Sequence, residues 1–175
     1  IDPVAPPLAA PELDWVTQLR SLAMALPQGI KGLNRCFDEI GRINQYDPMQ
    51  DYVNQTRQAM TYRLQQEPQN LDFAYALALA NVLKRRVSPA ISAMQRITQL
   101  DPQNPSAYGY LAFVNLYDFR PRAAQNALNT ALKLNPNLPE LQALSGVAAL
   151  MEGNLPLAWK YAQVYRRLEG KKDKA

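Results

Sequence analysis

The chain has 175 residues, 47% hydrophobic and 19% charged, with a net charge of +4 at pH 7. That suffices for one domain or one short repeat array around a buried core. With no histidine and one cysteine, Cys36, it lacks the means for His-activated nucleophiles, His metal ligation, an intramolecular disulfide or a Cys-rich zinc site.

Taken in chain order, residues 1–11 carry Pro3, Pro6, Pro7 and Pro11 and read as an extended, poorly ordered spacer. Such a start fits a cytoplasmic protein and equally an exported or membrane-anchored domain held behind a Pro-rich spacer. No run approaches the roughly 18 apolar residues that crossing a bilayer requires. Within 12–29, the spacing predicts a helix over 12–26, with Leu13, Val16, Leu19, Leu22 and Leu26 on one face, broken by Pro27-Gln28-Gly29. Residues 30–70 predict a helix pair. Leu33, Phe37, Ile40 and Ile43 give amphipathic spacing over 30–45, and Asp47-Pro48 caps a second helix over 49–66.

Beyond that pair the sequence becomes periodic. Pro68, Pro102 and Pro136 stand 34 residues apart, in Glu67-Pro68-Gln69-Asn70, Asp101-Pro102-Gln103-Asn104 and Asn135-Pro136-Asn137-Leu138. A period of about 34 marks a helix–turn–helix repeat array. Repeats 71–104 and 105–138 are complete, and 139–172 ends without the proline. Small residues recur in the first helix of each, in Leu77-Ala78, Leu111-Ala112 and Ser145-Gly146. Ala90, Ala124 and Ala158 recur early in the second helix, followed by Met94, Leu128 and Ala162, then Ile97, Ala131 and Tyr165. Two antiparallel helices approach closely only where a side chain is Ala, Gly or Ser, with larger residues filling the space around that contact. The proline stops the second helix and presets the turn into the next repeat.

This pattern resembles the tetratricopeptide-repeat family, in its small residues at repeat positions eight and twenty and its proline at thirty-two. The family's large residue at position four appears only as Tyr108, with Ala74 and Gln142 elsewhere, and its turn glycine only as Gly153. Gly41 and Asn44 make 30–70 a degenerate repeat. The pentatricopeptide pattern, with its period of 35 and no such proline, fits less well. The resemblance implies an all-α fold, a right-handed α-solenoid of helix–turn–helix repeats with an N-terminal helical extension. It also implies a non-catalytic protein–protein interaction scaffold that assembles or tethers a larger complex.

In that family, positions two, five, nine, twelve and thirteen of each repeat line a concave groove. Here they are Asp72, Tyr75, Leu79, Val82 and Leu83; Ser106, Gly109, Phe113, Leu116 and Tyr117; and Glu140, Ala143, Val147, Leu150 and Met151. Tyr75, Leu79, Val82, Phe113, Leu116, Tyr117, Val147 and Leu150 are expected to hold an apolar peptide or amphipathic helix of another protein. Two readings compete: these residues form core between paired helices, or the chain's own 12–26 helix covers the groove. Members that grip chaperone C-terminal carboxylates place Lys, Asn and Arg where this chain has Tyr75, Leu79, Tyr110, Glu140 and Leu144, so that role is not expected.

Lys84, Arg85, Arg86, Arg120 and Arg122 fall at turns between paired helices and predict a basic edge. A solvated edge is the plain reading, and docking on an anionic membrane surface is the alternative. Aromatic residues do not interleave with these cations, which disfavours nucleic acid. Trp159, Tyr161 or Tyr165 in the last repeat could stack on a second copy, giving a homodimer. No catalytic residue, cofactor or metal site is assigned: Asp38-Glu39 point to different helix sides, and phosphate loops, HExxH and GxSxG are missing. Cys36 has no histidine to activate it and reads as a structural thiol.

Overall fold

Each recurring proline separates two helices, and each pair of helices is closed by a tighter turn halfway through the repeat. The computed structural model describes residues 51–172. They form seven helices: α1 Asp51–Gln66, α2 Leu71–Leu83, α3 Val87–Leu100, α4 Pro105–Tyr117, α5 Pro121–Leu134, α6 Pro139–Met151 and α7 Leu155–Lys172. Every regular element among the described residues is helical. The 1–11 spacer, the 12–26 helix, the 30–45 helix, the Asp47 cap and Cys36 lie outside the described residues.

The described chain falls into two compact units, residues 51–100 and residues 101–172. In the first, α2 packs against both α1 and α3. Val53, Thr56 and Met60, on one face of α1, are buried there, and the Arg63 guanidinium lies 5.8 Å above the Phe73 ring. In the second unit α4 pairs with α5 and α6 with α7, while α6 also packs on α5 and α4. Its core joins Leu116, Ala124 and Leu128 of one pair to Leu141, Leu144 and Ala148 of the next.

The proline turns are β-turns with Pro at the second position, where its fixed φ is the one required. Asn70 N–H donates to the Glu67 carbonyl at 3.1 Å, and Asn104 N–H to the Asp101 carbonyl at 3.2 Å. Each Asn then caps the next helix. The Asn70 oxygen accepts from Phe73 N–H at 3.2 Å and the Asn104 oxygen from Ser106 N–H at 3.0 Å. Their amide groups donate back to Glu67 and Asp101 at 2.9 Å each. The third boundary differs, because Leu138 stands at the cap and makes no side-chain cap bond. Asn135 accepts from Asn137 N–H at 3.0 Å instead, and Leu138 packs onto the core.

The small residues sit where the helices meet. Ala78, Ala112, Ala90 and Ala124 are fully buried, and Ala158 nearly so. A Cβ on Gly146 would meet the Tyr161 Cβ at 3.7 Å, an ordinary contact, whereas one on Gly109 would stand 3.0 Å from the Leu141 Cδ2. Gly109 therefore sets how closely α4 and α6 approach. Gly146→Ala is expected to raise stability by about 0.5–1 kcal/mol, because Ala removes the helix entropy cost and fits the space. Gly109→Ala, which must displace Leu141, is expected to gain less, and Ala124→Leu to cost about 1–3 kcal/mol by overpacking. Urea midpoints of the three variants beside wild type check the order.

Candidate functional site

The turns inside the repeats share one hydrogen-bond pattern, and two of the three carry residues that fit it poorly. Arg85 N–H donates to the Val82 carbonyl at 2.9 Å and Arg86 N–H to the Asn81 carbonyl at 2.8 Å. Phe119 and Arg120 bond Leu116 and Asn115 at 3.0 and 2.9 Å, and Gly153 and Asn154 bond Leu150 and Ala149 at 3.0 and 2.9 Å. This is a Schellman motif, which forces its fifth residue into the left-handed region. The φ values are 54° at Arg85, 55° at Phe119 and 75° at Gly153. Only glycine adopts that conformation freely; for other residues it costs on the order of 1 kcal/mol.

The residue after it opens the second helix. Asn154 caps α7 by accepting from Leu157 N–H at 3.2 Å, whereas Arg120 makes no side-chain cap bond for α5. The 118–120 turn thus keeps two residues that stability disfavours, and it holds Phe119 83% exposed.

On the helices of the second unit, Tyr117 is 44% exposed, Val147 45%, Leu150 55% and Met151 38%. Toward the start of the same two helices, Ser106, Gly109, Tyr110, Leu138, Leu141 and Leu144, with Glu140, line a small, mostly apolar cavity of about 20 Å³. The missing side chain of Gly109 opens it.

The helix pairs match known structures. A crystal structure of MamA superposes with a TM-score of 0.66 over 83% of this chain and 93% of its own, at 19% identity. MamA from Desulfovibrio magneticus RS-1, from residue 41 to its end, gives 0.61 over 91% and 98% at 14% identity. A thermophilic TPR protein in Thermus thermophilus gives 0.54 over 91% and 97% at 14% identity. The fold is that of the tetratricopeptide repeat. At these identities the likeness is one of fold. No family sequence model matches the chain, and no curated protein matches it in sequence.

Tetratricopeptide repeats are a protein-interaction fold. Of the groove positions the sequence marks, Leu79 and Val82 are buried in the first unit and Tyr75 is half-buried there. Leu116 is buried in the second unit and Phe113 half-buried against its core. Tyr117, Val147 and Leu150 remain open to solvent. Of the basic residues, Lys84 caps the end of α2, Arg85 and Arg86 form the 84–86 turn, and Arg120 the 118–120 turn. Arg122 lies in the first turn of α5 and pairs with Glu152 at 3.4 Å. That bond places a carboxylate among the cations at this turn. Trp159 is exposed, while Tyr161 is half-buried, its hydroxyl accepting from the Gln125 amide at 3.3 Å, and Tyr165 is half-buried. Among the described residues no group of His, Cys, Asp and Glu is placed to hold a metal ion, and no helix is long and apolar enough to cross a membrane.

Phe119 escaped the sequence reading, although a signal for it existed: it stands 34 residues before Gly153. Phe119→Gly is expected to raise stability by about 1 kcal/mol by relieving the left-handed conformation. Arg120→Asn is expected to add about 0.5–1 kcal/mol by capping α5. Thermal unfolding of both variants checks this; a loss of stability in either would mean the side chain contributes to the fold.

Proposed function

We propose that the chain is a non-catalytic scaffold that holds an apolar segment of another protein, in assembling or tethering a larger complex. The observation carrying this reading is the exposure of Tyr117 at the end of α4 and of Val147, Leu150 and Met151 in α6, the two helices that also hold the apolar hollow at Gly109. Aromatic and Met side chains on neighbouring helices suit an amphipathic helix or extended apolar peptide, which they bury without demanding hydrogen bonds. Tyr117 is the principal anchor in this reading, because it combines exposure with a rigid ring. Phe113 and Leu116 precede it on α4, half-buried and buried, and Tyr75, Leu79 and Val82 hold groove positions of the preceding repeat, in the first unit.

Support for the non-catalytic part comes from residue chemistry: the chain has no histidine, and the hollow is lined mainly by carbon. A basic-edge reading has less support, since Glu152 offsets Arg122.

Tyr117→Glu is expected to weaken capture of the bound protein at least tenfold, the loss of one anchor residue at a hot spot. Helicity is expected to stay unchanged, and Asn129→Glu, on the exposed side of α5, to bind as wild type does. The check is affinity capture from native extract with the three baits side by side. Identical retained proteins on wild type and the Tyr117 variant contradict the groove reading.

A further inference from the structure

The positive charge of this chain is concentrated in one helix. α7 carries Lys160, Arg166, Arg167, Lys171 and Lys172 against a single anion, Glu169. Its net charge therefore equals the +4 of the whole sequence, and the remainder of the chain is neutral overall. The cations stand on the side that faces water. α7 packs on α6, and on its inner side Ala158 is buried and Leu157, Tyr161, Val164 and Leu168 are half-buried. On the outer side Leu155, Trp159 and Arg166 recur at helical spacing, and Lys160, Arg167 and Lys171 run beside them. All six are exposed, Leu155 by 65% and Trp159 by 61%. Glu169 is half-buried, and Glu152, in the turn before α7, is held by Arg122 at 3.4 Å.

We infer that the outer face of α7 docks on an anionic membrane surface, with Leu155 and Trp159 entering the headgroup layer. The four exposed cations, Lys160, Arg166, Arg167 and Lys171, then meet lipid phosphates and carboxylates. Charge decides the sign of the partner, because every exposed charged group on this face is positive. The apolar residues decide its kind. Trp joins an apolar ring to one N–H donor, which suits it to the boundary between headgroups and hydrocarbon. Leu155, one turn before it, gains from hydrocarbon and gains nothing from a phosphate backbone. The outer side of a single helix is convex. Neither the hollow at Gly109 nor the open cleft at Arg120, Arg122 and Asn126 includes a residue of α7. A protein segment finds no groove there, whereas a bilayer is flat and soft enough to receive a helix lengthwise. In this arrangement α7 lies on the membrane and does not cross it, since no described helix is long and apolar enough to span one.

This surface shares no residue with the turn cations Lys84, Arg85, Arg86, Arg120 and Arg122. It shares none with the exposed groove residues of α4 and α6 either, so the inference is independent of the groove reading. Two apolar side chains and four cations give a reversible attachment. It weakens as salt rises, because charge supplies most of the attraction.

The test is binding of the full chain to phosphatidylcholine vesicles with and without phosphatidylserine, read by co-sedimentation and by tryptophan emission. The chain has two tryptophans, so Trp15→Phe leaves Trp159 as the single reporter. Binding is expected with the anionic vesicles only. On them the Trp159 emission is expected to shift to the blue and to be quenched by brominated acyl chains. Lys160→Glu with Arg167→Glu is expected to weaken binding about tenfold or more, with unchanged helicity. Arg86→Glu with Lys133→Glu makes the same change of charge at exposed sites off this face. That pair is expected to bind within about twofold of wild type, since screening confines the attraction to charges near the lipid. Should the α7 pair unfold, the Trp159 signal of the chain with its charges intact decides. Equal losses in the two pairs, or a loss in the Arg86 and Lys133 pair alone, overturn the inference. A Trp159 emission that anionic vesicles leave unchanged overturns it too. So does a wild-type chain that stays in solution, whether or not it then binds a single-stranded oligonucleotide or an acidic peptide.

Discussion

The close approach of paired helices at a small residue is the constraint on which the rest of the structure depends. Ala112 and Ala124 have no exposed surface because their helices meet there, and only Ala, Gly or Ser permits that distance. Leu128, Leu141 and Leu144 then reach one another around the contact and form the core. The turns serve the same end. The Schellman bonds at 84–86, 118–120 and 152–154 reverse the chain within three residues, which leaves the second helix no room to drift from the first. The turns at Pro68 and Pro136 do the corresponding job between α1 and α2 and between α5 and α6. Helices of 13 and 14 residues such as α4 and α5 are marginal alone, so packing and not propensity holds them.

Much of this was legible in the sequence because it is periodic. Pro68, Pro102 and Pro136 mark the boundaries, and the Ala pairs mark the contacts, with no need to know what lies next to them. Exposure is different. Leu116 and Leu150 occupy the same repeat position with the same side chain, yet one is buried and the other open. Periodicity tells which side of a helix a residue takes, not whether another helix packs on that side. The same limit separates Leu79 and Val82, which are buried, from Val147, which is not. The strain at Phe119 was hidden for another reason. Its φ is dictated by two backbone hydrogen bonds that no side chain announces, and only the later Gly153 betrays the demand of that position.

The fold does not name the function. Tetratricopeptide repeats hold many unrelated proteins, and the particular use is fixed by the side chains the helices leave uncovered. Among the described residues, the exposed large apolar side chains lie on α4, α6, α7 and the 118–120 turn. Phe119 and Arg120 are the less stable choice at their turn, since Gly and Asn fill the equivalent positions of the next turn. Such local departures from the most stable choice are expected where a surface is used.

The most direct test of the claim that contacts between helices hold the stack is native-state hydrogen exchange, followed by mass spectrometry at dilute protein concentration. If packing dominates, the slowest amides lie in α4, α5 and α6, around Ala112, Ala124, Leu128 and Ala148, where neighbouring helices bury them. Amides of α7 beyond Tyr165 then exchange early, although α7 is the longest of the described helices at 18 residues. If α7 proves the most protected, helix length and propensity sustain the fold, and the account built on the small-residue contact is wrong.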